Sequence, residues 1–205
     1  MRELDKILDK DEKIFWEGKP KFLPFILSVS IIPILFGLVW LIFTIPFFIA
    51  MIQKSPVGWW VLLTPHFWIG FILVFGIPLY QVLVYRFVYY AITNKRVIFQ
   101  KGLIGRDFEM VDLDQITNAE VRVGFLDKLF GGNSGSVLIA TAGSFTFTRR
   151  GPVKKPYTMR HIIEPYNVFK TLKEVSHAVK TDIEFPNKYR PEVNPGYKTD
   201  YKPKE

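Results

Sequence analysis

Two long apolar stretches dominate the first half of the chain, Phe22 to Gln53 and Phe67 to Tyr85, and from Phe22 to Tyr85 the only formally charged side chain is Lys54. A helix needs roughly 20 apolar residues to cross the hydrocarbon core of a bilayer, and the runs on either side of Lys54 meet that length. The first reads as one tilted helix kinked near Pro33 or Pro46, since membrane helices tolerate proline where neighbouring groups re-satisfy the backbone. Pro46 alternatively marks its outer end. Lys54 to Gly58 then form a connector, and Trp59, Trp60, His66 and Trp68 read as an aromatic belt along the outer interface.

Ahead of these stretches, Leu4, Ile7 and Leu8 are spaced for a surface helix, and Ile14, Phe15 and Trp16 read as an extended lead-in ending at Gly18 and Pro20. Phe15 and Trp16 either lie at the headgroup level or pack on the domain that follows. Beyond Arg86 the pattern breaks into short β-rich pieces. They run Phe87 to Thr93, Arg96 to Lys101, Arg106 to Leu113, Asn118 to Val123, Ser136 to Ala142, Ser144 to Arg149 and Tyr157 to Ile163. Asn94-Lys95, Gly102 to Gly105, Gly131 to Gly135 and Gly143 supply turns, so antiparallel hairpins are expected. Phe145 and Phe147 alternate with polar neighbours and are assigned to the core. From Glu164 and Pro165 onward, Val168, Leu172, Val175 and Val179 share one helical face, which predicts an amphipathic helix covering something apolar. The stretch from Glu184 to Glu205 is Pro-rich and polar, with too few aliphatic residues to bury, and reads as a disordered tail.

Charge fixes an orientation. The formal net charge is +8, and six basic residues precede the first span, Lys54 alone lies between the spans, and twenty follow from Arg86 onward. The positive-inside rule therefore puts both termini in the cytoplasm of a multi-pass protein of the cell membrane. Met1 to Lys21 is too polar for a cleavable signal peptide. The chain has no Cys, which excludes disulfides, thiolate metal sites and Cys nucleophiles.

Seven short strands and one C-terminal amphipathic helix outline a pleckstrin-homology-like (PH-like) barrel, and several motifs bring the resemblance closer. Tyr90, Ile92, Thr93, Asn94, Lys95, Arg96, Val97, Ile98 and Phe99 resemble the Tyr-x-Ile/Leu-Thr step, basic turn and hydrophobic strand of the bacterial PH domain family. Lys101 to Ile104 resemble its basic-Gly-Leu-hydrophobic hairpin, and Val111 to Ile116 its Pro-Leu-x-x-Ile stretch, with Asp112 in place of the proline. Gly124 to Gly131 are similar to its short helix, and Val137 to Gly143 to its hydrophobic strand and Ala-Gly ending. Glu12, Ile14, Phe15, Glu17, Gly18 and Pro20 resemble the lead-in that such proteins carry before two membrane helices. Arg149 to Pro156 depart from the pattern as an added basic loop, and the tail after Ile183 lies outside it.

Candidate chemistry is sparse. His66, His161 and His177 have no second ligand at a metal-binding interval, so neither a metal nor a cofactor is expected, and catalysis is not expected. Gly131 to Gly135 lack the Lys-Ser/Thr of a phosphate loop and read as a tight turn. Lys95, Arg96, Lys101 and Arg106 sit at hairpin turns and are candidates for contact with anionic headgroups. Arg149, Arg150, Lys154 and Lys155 form the densest basic cluster, a candidate contact for an acidic partner or the leaflet. Without interleaved aromatic residues, it does not read as a nucleic-acid site. Trp16, Trp59, Trp60 and Trp68 are the candidate membrane-interface residues.

The expectation is an α+β membrane protein, a two-helix transmembrane hairpin followed by a seven-stranded PH-like antiparallel β-barrel with a C-terminal capping helix. Its parts are an N-terminal segment (1–21), the hairpin (22–86), the PH-like domain (87–183) and the tail (184–205). Such a chain reads as a non-catalytic binding or scaffold module whose partners are membrane lipid and a protein or a second copy, with no small-molecule substrate evident. An oligomeric pore and an accessory subunit of a membrane enzyme or transporter are the alternatives.

Overall fold

A computed structural model describes residues 2–54, 58–103, 105, 107–143, 145–148, 151–154 and 156–184. The chain divides into two compact units, one formed by the residues up to Lys21 with those from Phe87 onward, the other by Phe22 to Arg86.

In the second unit, helix α1 runs from Phe22 to Lys54 without a break at Pro33 or Pro46. The return is Pro65 to Tyr85, built from α2 (Pro65–Phe71), a π-helical turn (Ile72–Gly76) and α3 (Ile77–Tyr85). The turn has a local cause. A proline has no N–H and its ring collides with the carbonyl four residues back, so Pro78 favours a widened coil ahead of it. The Ile77 N–H accordingly reaches the carbonyl of Ile72. The two helices meet at glycines. A Cβ on Gly70 would come within 2.5 Å of Leu41 Cδ2, and one on Gly37 within 2.8 Å of Leu73 Cβ and Val74 Cγ2. Small residues at such crossings let backbones approach closely. Phe48 is buried nearby and meets the Phe67 ring edge-on, with centroids 5.2 Å apart.

The first unit is α+β. Its first sheet has the order β1-β2-β3-β4, with β1 Ile14–Gly18, β2 Tyr89–Thr93, β3 Arg96–Lys101 and β4 Asp107–Asp112. All three pairings are antiparallel. The second sheet has the order β5-β6-β9, with β5 Ile116–Arg122, β6 Ser134–Thr141 and β9 Tyr157–Ile163. A separate hairpin pairs β7 (Phe145–Thr148) with β8 (Gly151–Lys154). Helix α4 spans Phe125–Phe130 and α5 spans Pro165–Glu184. This corrects the expected closed barrel of seven strands: the described residues form nine strands in three sheets. The lead-in around Trp16 pairs along β2 and becomes a strand, and part of the expected basic loop is β8. The side chains of Phe145 and Phe147, and the tail from residue 185 onward, lie outside the described part.

The core lies where Tyr90, Ile92, Val97 and Phe99 of the first sheet, Val137, Ile139 and Met159 of the second, and Val168, Leu172 and Val175 of α5 are all buried. β2 and β3 are buried on their other face too. There Leu4, Ala91 and Ile98 form a second cluster, packed by Ile7, Leu8, Ile14, Tyr89 and Phe108. Strands covered on both faces read as continuous apolar runs without alternation, which accounts for Tyr90-Ala91-Ile92 and Val97-Ile98-Phe99. Two buried polar groups tie the layers together. The Tyr90 hydroxyl accepts from the Arg160 N–H of the other sheet at 3.3 Å, and burial pushes its pKa up to about 12. Gln100 accepts from the Glu3 N–H at 2.9 Å and donates to the Phe87 carbonyl at 3.1 Å, which fastens the N-terminal segment to the start of the sheets.

Candidate functional site

The β2–β3 turn, the first of the predicted basic sites, is clasped by the N-terminal segment. The Glu12 carboxylate is fully buried and accepts from Arg96 Nη2 at 2.7 Å, Arg96 Nε at 3.0 Å, the Asp9 N–H at 3.0 Å and the Thr93 hydroxyl at 2.7 Å. Burial by itself raises this carboxyl, but Arg96, the Asp9 amide and Thr93 together hold it below its ordinary value. Thr93 Oγ1 in turn accepts from the N–H groups of Lys95 and Arg96 and closes the turn. Asn94 exchanges two hydrogen bonds with the Lys13 backbone. Lys95 and Arg96 thus face Asp9 at 3.1 and 3.4 Å, and Arg96 is only 19% exposed. Lys101 pairs with Glu109 at 2.6 Å. Lys95, Arg96 and Lys101, three of the cations that the sequence offers to a leaflet, thus have carboxylates within their own unit.

The remaining predicted residues are dispersed. Arg106, Arg149, Arg150 and Lys155 lie outside the described residues, and for Lys154 only its backbone in β8 is described. Trp16 is partly buried in β1. The backbone of Trp59 and all of Trp60 belong to a 3₁₀ segment, Gly58–Leu63, and Trp60 and Trp68 are exposed. Trp68 Nε1 donates to the Leu62 carbonyl at 2.9 Å.

Two further features escape sequence reading. One is a hub beneath α4. The Asp127 carboxylate is buried and accepts from Ser134 Oγ at 2.9 Å and the Gly124 N–H at 3.1 Å, with His161 Nδ1 at 2.7 Å. His161 is thirty-four residues away in sequence and holds a left-handed backbone at φ 52°, so no local spacing announces the pair. Ser134 and His161 converge on one oxygen of Asp127, with the serine hydroxyl spent on the carboxylate. A nucleophile would instead be bonded to the imidazole, so the cluster is an anchor for α4. Among the described residues no group of three His, Asp or Glu side chains is placed to hold a metal.

The other feature is an open groove of about 300 Å³ between β5 and α5, lined among others by Asn118, Ala119, Leu172, Lys173 and His177. β5 is the outermost strand of its sheet, and its first residue is bound to α5 by Lys180 Nζ donating to the Ile116 carbonyl at 2.5 Å. Just upstream, Ser176 Oγ donates to the Leu113 carbonyl at 2.8 Å. The groove is shallow and polar along much of its length, unlike an enclosed small-molecule pocket. A free strand edge beside a helix suits an extended chain that adds to the sheet.

A four-stranded and a three-stranded antiparallel sheet, a separate two-stranded hairpin and a C-terminal amphipathic helix make up this unit, the strand-rich α+β outline expected of a PH-like domain. The sequence profile of the bacterial PH domain family matches residues 25–174, a stretch that takes in Pro65–Tyr85 and all of α1 but its first three residues. The chain belongs to that family. Among solved structures, a DUF1696 family protein with a pleckstrin-homology domain from Shewanella loihica PV-4 is similar, at 18% identity and a TM-score of 0.32 over 43% of this chain and 70% of that one. At that level the likeness carries no argument. Comparison with curated proteins gives no match.

Proposed function

We propose that this chain is a membrane-anchored, non-catalytic binding module. Its two apolar helices cross the cell membrane as a hairpin, both termini face the cytoplasm, and the PH-like unit presents the β5 edge to an extended segment of a partner protein or of a second copy. One observation carries the membrane reading. In the most apolar window of each long helix only 28% of residues in α1 and 6% in Pro65–Tyr85 are buried, whereas a core helix of a soluble protein would be mostly covered. Ile32, Phe43, Phe75 and Leu79 are among the large apolar side chains left bare. A surface of that extent in water would aggregate, and hydrocarbon is the medium that suits it. The lone Lys54 between the spans supports the orientation.

Lys173 and His177 line the groove and are exposed, so an acidic or polar extended segment fits it best. The absence of Cys from the chain makes the test direct. In intact cells a single Cys at Leu63 should react with a membrane-impermeant maleimide, and one at exposed Asp107 should react only after lysis. Reaction at both sites in intact cells would end the orientation. With orientation established, a photocrosslinker at Asn118 should capture one protein reproducibly, and the paired substitution Lys173→Glu and His177→Glu should abolish capture. Undiminished capture would remove the groove from the reading.

A further inference from the structure

We propose that helix α4 is a second membrane contact, an apolar wedge that lies in the leaflet entered by α1; this rests on the membrane reading of the two long helices. α4 is built inside out. Its sequence, Phe-Leu-Asp-Lys-Leu-Phe, offers four apolar side chains to a core, yet Phe125 and Leu129 are 77% and 58% exposed and Phe130 is exposed as well, while Asp127 is 1% exposed. A buried carboxylate beneath exposed rings is the reverse of ordinary burial and is the kind of departure that carries information. It is also firmly held, because Ser134, His161 and the Gly124 amide all engage Asp127. The apolar surface continues past the helix. Ser134 pairs with Ile163, and the Glu164 N–H donates to the Asn133 carbonyl at 2.9 Å, which brings exposed Ile163 and Tyr166 beside the segment that follows α4.

Chain continuity names what covers this face. The Lys21 N–H donates to the His161 carbonyl at 2.6 Å, and Lys21 Nζ donates to the carbonyl of Gly131, the residue that closes α4, at 2.5 Å. The next residue is Phe22, where α1 begins. Adjacent Cα atoms are about 3.8 Å apart, so the end of α4 is tied to the residue that hands the chain to the apolar helix. With the membrane boundary set at Phe22, the start of α1, the bilayer meets the chain within side-chain reach of α4. Lys128 is exposed on the same helix and suits anionic headgroups, while the rings and Leu129 suit the acyl boundary.

The test uses the full chain in vesicles of phosphatidylethanolamine and phosphatidylglycerol, with one nitroxide at a time on Cys substituted for Leu129, Phe125, Ile42 or Glu174. Ile42 is exposed on α1 and reports the anchor, and Glu174 is exposed on α5 and reports water. The wedge predicts labels at 129 and 125 shielded from a water-soluble nickel complex and open to oxygen, like the label at 42, at a depth of about 5–10 Å. If 129 and 125 behave like 174 while 42 lies in hydrocarbon, the wedge is refuted and the anchor stands. If both are shielded from nickel and oxygen alike and show dipolar broadening, a second copy covers α4, which overturns the leaflet contact. A water-exposed label at 42 overturns the anchor and the wedge together.

Discussion

Replacing Glu12 by Gln tests how the N-terminal segment is held to the sheets. Gln keeps the shape and an acceptor for Thr93 but removes the charge that Arg96 meets through two nitrogens at 2.7 and 3.0 Å. Removing one member of a buried ion pair costs about 3–5 kcal/mol, chiefly because the other charge is left uncompensated. Arg96 keeps partial exposure, and Asp9 stands 3.4 Å away, so the expected loss is at the low end, about 3 kcal/mol. The assay is urea unfolding in detergent micelles, followed by the amide exchange of β2 and β3. The paired change Glu12→Gln with Arg96→Met should recover much of the loss, giving a coupling energy of about 1.5 kcal/mol or more in the double-mutant cycle. A coupling below about 0.5 kcal/mol would refute the reasoning, since that is the range of an exposed pair. Acid supplies an independent check. The folded-state carboxyl is held below its ordinary value, so its contribution is complete above the unfolded-state pKa and is lost as pH falls through the folded one. The difference between the wild-type chain and Glu12→Gln should therefore be constant near neutrality and shrink on acidification; a difference that shrinks on alkalinisation contradicts the assignment.

Other expectations follow from single contacts. Tyr90→Phe removes the bond from the Arg160 N–H and leaves that donor unpaired, and should lower stability by about 1–2 kcal/mol in the same urea assay. Gly70→Leu has no room against Leu41 and should part the two long helices, seen as increased distance between spin labels at positions 42 and 75. Gly131→Ala would place a Cβ 2.4 Å from the Asp127 carbonyl oxygen, so backbone must move; a loss of about 1–3 kcal/mol is expected, with amide exchange quickened first in α4. Gln100→Leu leaves the Glu3 N–H and the Phe87 carbonyl without these partners and should release the N-terminal segment to limited proteolysis before the sheets unfold.

What the sequence disclosed depended on range. The strands Arg96–Lys101 and Tyr157–Ile163 end where their residue patterns end, and α5 begins at the proline expected in its first turn, because these boundaries are set by neighbours along the chain. The role of the first twenty residues was not set that way. Ile14 to Gly18 pair with residues 72 to 79 positions later, a choice that propensity alone does not make. A signal was nonetheless present. Unbroken apolar triplets in β2 and β3 implied cover on both faces, whereas one sheet packed against α5 provides cover on only one. The missing layer comes from Leu4, Ile7 and Leu8, whose spacing suggests only a surface helix.

The same long-range pairing sets the surroundings of the β2–β3 turn. Lys95 and Arg96 look free only while Asp9 and Glu12 are treated as a separate segment; once β1 joins β2, the acidic residues immediately before it come to the turn that follows β2. The burial pattern of α4 is inverted. An Asp flanked by Phe, Leu, Leu and Phe is ordinarily assigned to water and its neighbours to the core. That assignment fails here because Ser134 and His161, the latter thirty-four residues on, give the buried carboxylate hydrogen-bond partners in place of water. With Asp127 held inward, a helix of six residues has too few faces left to bury all four apolar side chains. The exposure of Phe125, Leu129 and Phe130 follows from the anchor beneath them, and on the proposed membrane reading a leaflet at Phe22 is where that exposure would cease to be unfavourable.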